Sequence, residues 1–259
     1  MASTAPARQT VTYGNKQVQI FSSSKDMEAA LGPYITSIAT NAVQQRGKFT
    51  VAFSGGSLPA TVGSALSAPA EALTLAPTVH QWHVFFADER LVELEDKESN
   101  YAGVKQNFLS KFPTLPASNV HTLNTALLSS PTEAAADYQR QLLSVTEDGT
   151  LDLILLGMGP DGHTCSLFPS HPLLNERELL VASITDSPKP PPQRITLTFP
   201  AVNKARHAVF VLQGDEKAQS LHEALEVPDK GLPAGRVESV NTAFFVDEKA
   251  AAKLTKAKL

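Results

Sequence analysis

The chain of 259 residues has one cysteine, Cys165, so it has no internal disulfide, and this usage fits a reducing compartment. It has no run of 18 apolar residues, which excludes an ordinary transmembrane helix and leaves no membrane partner to expect. It has no cluster of five or more lysines and arginines, and 22 basic residues against 26 acidic ones give a formal net charge of −4. A nucleic-acid partner is therefore not expected. The opening stretch "MASTAPARQTVTYGNKQVQIF" lacks the apolar core of a secretory signal. These absences together lead us to expect a cytoplasmic protein, acting as a monomer.

What is present is an ordinary globular composition, 42% hydrophobic and 19% charged. Residues 1–16 read as a loose N-terminal arm with at most one short strand start, and 17–259 as a single domain. "SSSKDMEAALGPYITSIATNAVQQRG" carries Met27, Leu31, Ile35, Ile38 and Ala42 at helical spacing, with Ser24 as its cap, Gly47 as its end and a kink or break expected at Pro33. "KFTVAF", "HQWHVFFA", "LDLILLGMG", "RITLTFPAV", "HAVFVLQG" and "VNTAFFVD" read as strands, separated by helical segments. The run "LDLILL" has no polar alternation, so both faces of that strand should be covered. Alternating strands and helices predict an α/β fold, a mainly parallel sheet with helices on both faces. "SITDSPKPPPQ" reads as a stiff surface loop within the domain.

In such a sheet, ligands sit beyond the carboxyl ends of the strands. Three loops there carry unusual residues. Ser54-Gly55-Gly56-Ser57 allows successive backbone N–H groups to converge at a helix N-terminus, which suits a phosphate monoester, although a plain strand-to-helix turn would read the same. No G-x-x-x-x-G-K-[ST] pattern is present, which argues against a nucleoside triphosphate site. Asp88-Glu89-Arg90 reads either as a solvated loop or as an arginine held by its acidic neighbours for an anion, with Asn100 nearby. The third loop, "GMGPDGHT", has the G-x-G-x-x-G spacing of a dinucleotide turn in Gly157, Gly159 and Gly162. Asp161 would set a carboxylate against a pyrophosphate, and the strand is not the first of its unit, so that reading is disfavoured. The alternative is chemical: His163 accepts a proton near neutral pH, displayed by a glycine-flanked bend, although a lone histidine is often a structural cap. Cys165 reads as a small packing residue. Lys189 and Arg194 flank the proline-rich loop, either as solvated charges or as cations for an anionic ligand.

Taken together, "FSGGSLP", "WHVFFADERLVELEDKESNY", "LDLILLGMGPDGHTCSLFP" and "PKPPPQRITLTFPAVNKARHAVFVLQGDEK" resemble the 6-phosphogluconolactonase family in order and spacing, over roughly residues 18 to 250. The resemblance implies a modified Rossmann-like three-layer α/β fold shared with the glucosamine-6-phosphate deaminases. It implies hydrolysis of 6-phospho-D-glucono-1,5-lactone, the second step of the oxidative pentose phosphate pathway, with no metal and no organic cofactor. It makes His163 the general base. Asp161 beside it, the Ser54–Ser57 turn with Asp88, Arg90 and Asn100, and one or both of Lys189 and Arg194 complete the expected site. The deaminases carry Asn-Gly-His where this chain has Asp161-Gly162-His163, which favours the lactonase. A non-catalytic sugar-phosphate binder would keep the turn and Arg90 but would not need His163.

Overall fold

The protein is described by a computed structural model covering residues 9–257. The chain runs β1 (Gln9–Tyr13), β2 (Lys16–Phe21), α1 (Ser24–Arg46), β3 (Phe49–Phe53), α2 (Leu58–Leu66), α3 (Pro69–Leu75), β4 (Trp82–Phe86), β5 (Asp88–Arg90) and α4 (Asn100–Asn107). It continues with α5 (Pro131–Val145), β6 (Leu153–Leu156), β7 (Val181–Ile184), β8 (Arg194–Leu197), α6 (Phe199–Lys204), β9 (His207–Leu212), α7 (Ala218–Glu226), β10 (Asn241–Asp247) and α8 (Glu248–Ala251).

Seven strands form one sheet in the order β1-β2-β10-β9-β6-β3-β4. All pair in parallel except β1, which pairs antiparallel with β2. Every residue of β3 and of β6 is buried; β6 is an uninterrupted apolar run, and the one polar residue of β3, Thr50, donates its amide and hydroxyl to Asp152. With helices around the sheet, this is the expected three-layer α/β architecture. A second sheet, β5-β8-β7, is antiparallel and has three strands. The sequence reading did not foresee it.

Other expectations are corrected in detail. Over Gln9–Tyr13 the supposed loose arm is an edge strand, its register fixed by Gln9 opposite Ile20 and Tyr13 opposite Lys16; residues 1–8 of that arm lie outside the described residues. Helix α1 is capped by Ser23, not Ser24, through the amide of Asp26 at 3.1 Å. It runs through Pro33 without breaking. Proline removes only the bond to the Ala29 carbonyl, while Leu31, Ile35 and Ala39 on the same helix are fully buried, so packing outweighs the lost bond. Gly47 ends the helix in the left-handed region, φ 71°, as expected.

The strand order explains where a ligand can sit. From β3 the chain steps outward to β4, then returns to β6 on the other side of β3 and continues to β9 and β10. The direction reverses between β3 and β6, and there the loops leaving the carboxyl ends diverge to open a crevice.

Candidate active site

The crevice is a cleft of about 260 Å³ that draws Ser54–Ser57, Asp88, Arg90, Asn100, His163 and Arg194 together. Gly56 has φ +75°, a conformation that favours glycine. Among the described residues the amides of Gly55, Gly56 and Ser57 have no backbone acceptor. The Ser54 hydroxyl is buried without a partner, and Ser57, at the cap of α2, spends no side-chain bond on the helix. Unpaired donors at a helix N-terminus make a ready anion site. Gly55 is required for a different reason: a Cβ there would lie 1.9 Å from Asn100 Oδ1.

Asp88-Glu89-Arg90 is a strand, not the solvated loop that was one reading of it. Asn100 Nδ2 donates to the Asp88 carbonyl at 2.8 Å, and Ser166 Oγ donates to Asp88 Oδ2 at 2.7 Å. Glu89 is 1% exposed and accepts from the amides of Arg90, Asn100 and Tyr101 and from the Ser99 hydroxyl. Burial pushes its carboxyl up, and the amides of Asn100 and Tyr101 at the start of α4, with that of Arg90, pull it back. Arg90 Nη1 donates to the Glu98 carbonyl at 2.6 Å, while its buried Nε has no partner. The guanidinium is thus anchored by one arm and keeps a buried donor without a partner.

The loop after β6 carries the chemistry. No α-helix follows it; the next helical turn is the short 3-10 segment Pro172–Asn175. A pyrophosphate would find no helix N-terminus there, which removes the physical basis of the dinucleotide reading. Instead the loop closes on itself, with the Gly159 amide on the His163 carbonyl and the Gly162 amide on the Gly159 carbonyl, both at 2.9 Å. Gly162 has φ +80°. The result sets His163 Nδ1 2.5 Å from Asp161 Oδ1. An ionised carboxylate only accepts, so Nδ1 carries the hydrogen and Nε2 is left with a lone pair. Burial lowers the affinity of His163 for a proton, and the ion-pair partner Asp161 only partly offsets it. Asp161 is held below the usual carboxylate range: its burial works the other way, but the hydrogen bond from His163 and the Lys189 ammonium outweigh it. Cys165 is buried, and burial pushes its thiol up, so it is no nucleophile at neutral pH.

The two cations of the proline-rich segment differ in their surroundings, and of the two only Arg194 lines the cleft with the glycine turn. Lys189 Nζ is 3.2 Å from Asp161 Oδ1 and 3.3 Å from His163 Nδ1. Arg194 is 3% exposed, and its guanidinium faces the carbonyls of Lys189, Pro190 and Pro191. The sequence reading overlooked Gln213, Glu216 and Lys217, which line the cleft after β9. Among the described residues Lys217 has no ion pair. The signal for it was its place just past the carboxyl end of a strand. A larger cleft of about 570 Å³ shares no lining residue with this one. Its lining has no histidine, cysteine, serine or threonine, so it offers neither a neutral-pH base nor a hydroxyl or thiol nucleophile. Among the described residues no three histidine, cysteine or carboxylate side chains are grouped to hold a metal ion. No helix among them is long and apolar enough to cross a membrane.

The fold and the cleft are those of an α/β protein with an anion-binding turn and a histidine–carboxylate pair, and comparison with known proteins identifies the family. The model for glucosamine-6-phosphate isomerases/6-phosphogluconolactonase matches residues 22–246, and the chain belongs to this family. A 6-phosphogluconolactonase of Rattus norvegicus is 43% identical over 248 residues, spanning 92% of this chain and 93% of the relative. A probable 6-phosphogluconolactonase of Schizosaccharomyces pombe is 39% identical, spanning 93% of this chain and 97% of the relative. Among solved structures, the 6-phosphogluconolactonase of Thermotoga maritima superposes with a TM-score of 0.75 at 29% identity, covering 90% of this chain and 99% of its own.

Proposed function

We propose that this chain hydrolyses 6-phospho-D-glucono-1,5-lactone to 6-phospho-D-gluconate with His163 as general base. The observation that carries the reading is the His163–Asp161 contact at 2.5 Å, which leaves Nε2 as a proton acceptor on a residue lining the cleft. Nε2 takes a proton from water as the water oxygen bonds to the lactone carbonyl carbon. The tetrahedral intermediate then expels the ring oxygen, and the imidazolium returns the proton to it. Asp161 fixes the tautomer and stabilises the imidazolium formed on the way.

The substrate phosphate is assigned to the Ser54–Ser57 turn and to Arg90, with Lys217 adding charge. Asn100 and Asp88 support the turn from behind. A six-membered sugar lactone is intrinsically reactive, so a base worth about 10²–10⁴-fold plus positioning through the phosphate is sufficient. No covalent nucleophile and no cofactor enters this scheme. The single buried cysteine supports a cytoplasmic setting, and the enzyme is taken to act as a monomer.

The test is lactone loss measured against its spontaneous background. His163→Ala should lower kcat by about 10²–10⁴-fold, with KM little changed. Turnover near the parent value would end the general-base reading, and ammonia release from glucosamine 6-phosphate would replace the lactonase reading with a deaminase.

A further inference from the structure

Arg194 and Lys189 were both candidates for the substrate's anion, and their contacts point to another division of labour. We propose that Arg194 is a positioning residue that holds the loop bearing Lys189, and so fixes where the Lys189 ammonium stands beside the Asp161–His163 pair. The proposal rests on His163 acting as the base.

The guanidinium has five N–H groups. Nε donates to the Pro191 carbonyl at 2.9 Å, Nη2 to the carbonyls of Lys189 at 2.8 Å and Pro190 at 3.1 Å, and Nη1 to Ser166 Oγ at 3.3 Å. Four donors are spent on neutral oxygens of the protein. The charge is balanced by Asp88, whose Oδ2 lies 3.8 Å from Nη1 and accepts from Ser166 Oγ at 2.7 Å. A bidentate grip on a phosphate would break several of these bonds around a buried guanidinium, at about 1–3 kcal/mol each.

What the guanidinium grips is one short piece of backbone. The same piece is tied down by Ser187, whose hydroxyl donates to the Lys189 carbonyl at 2.8 Å and accepts from the Lys189 amide at 3.2 Å. With its backbone held at both groups, Lys189 extends its ammonium to within 3.2 Å of Asp161 Oδ1 and 3.3 Å of His163 Nδ1. A cation there does two things. It keeps Asp161 ionised, so that the carboxylate accepts the Nδ1 hydrogen. It also opposes a second positive charge on the ring, so that the resting imidazole is neutral and able to accept a proton. The charged groups that bear on His163 are Asp161, Lys189 and Asp88; the ring of Phe168, at a centroid distance of 4.8 Å, adds only apolar cover. Lysine could not replace Arg194, because three donors on a single nitrogen cannot span three successive carbonyls.

The experiment is an NMR titration of the His163 imidazole alongside lactone kinetics, in the parent and in Lys189→Met, Arg194→Lys and the double variant. Lys189→Met should move the His163 midpoint upward by about half a pH unit or more. Arg194→Lys should move it the same way, with kcat lower by about tenfold and KM within about threefold. The double variant should shift no further than Lys189→Met alone, since Arg194 acts through Lys189. Ser166→Ala, which removes one hydroxyl that accepts from the guanidinium, should give a smaller shift in the same direction and serves if Arg194→Lys fails to fold. An unmoved midpoint in the folded variants overturns the proposal. So does a large rise in KM with kcat intact in Arg194→Lys, which would make Arg194 a substrate ligand. The titration does not depend on turnover, so an active His163→Ala enzyme would defeat the general-base reading without deciding this test.

Discussion

Gly159→Ala tests the geometry of the base directly. Gly159 does not have a positive φ, so an alanine is acceptable to the backbone itself. The obstacle is space: a Cβ would lie 2.1 Å from both Cε1 and Nδ1 of His163 and 2.5 Å from Asp161 Oδ1. Non-bonded heavy atoms settle at about 3.5–4.0 Å, so the ring must retreat by more than about 1 Å. That movement also breaks the 2.5 Å bond that holds the tautomer. A displacement of this size costs about 10²-fold in rate. We expect kcat to fall by that factor, with thermal unfolding close to the parent because the imidazole can swing into the cleft. The assay is lactone loss above background at saturating substrate. In a His163→Ala background the methyl no longer meets the imidazole, and the second substitution should cost less than about tenfold. A Gly159→Ala enzyme with kcat within about threefold of the parent would refute the claim that the imidazole works from this position.

Burial places the His163 midpoint below its ordinary value, and a protonated ring cannot accept a proton, so kcat/KM should hold near neutrality and fall only as pH drops below about 6.5; an acid limb centred above pH 7 would contradict the environment described. The same lowering means that the unfolded chain binds more protons in that window, so His163 weakens the fold as pH falls through it. Arg90→Ala should raise KM about tenfold or more with kcat near the parent, and a pure kcat effect in steady-state kinetics would remove Arg90 from the phosphate site. Glu89→Gln turns an amide donor toward amide and hydroxyl donors in a fully buried position, at about 2–3 kcal/mol; calorimetry should show Tm lower by about 5 °C or more, and an unchanged Tm would mean that the carboxylate does not organise the start of α4.

Much of the large sheet was legible because its strands announce themselves. β6 is an unbroken buried apolar run, β3 and β9 depart from one only at Thr50 and His207, and Pro59, Ser99 and Gly47 mark helix ends by local chemistry. The small sheet was not legible. Asp88-Glu89-Arg90 has no hydrophobic period, and it becomes a strand only through pairing with β8, more than a hundred residues away. β1 likewise depends on β2, and its polar alternation by itself reads equally well as a tail. In the site, the glycines around His163 and after β3 could be read locally because each backbone bend needs them. Lys217 could have been found from its place past a strand end. The contacts of Arg194 could not, since most of its partners are carbonyl oxygens, which no side-chain pattern reports.

The pairing of β5 with β8 sets Arg90 directly across from Arg194, and Asp88 across from Thr196. Successive side chains on a strand alternate between faces. Shortening or lengthening the proline-rich segment so that β8 slides by one position would send Arg194 to the opposite side and strand the Asp88 carboxylate without its counter-charge. Transplants of that segment between relatives should therefore succeed only when the ladder is kept residue for residue, however freely the tip itself is redesigned.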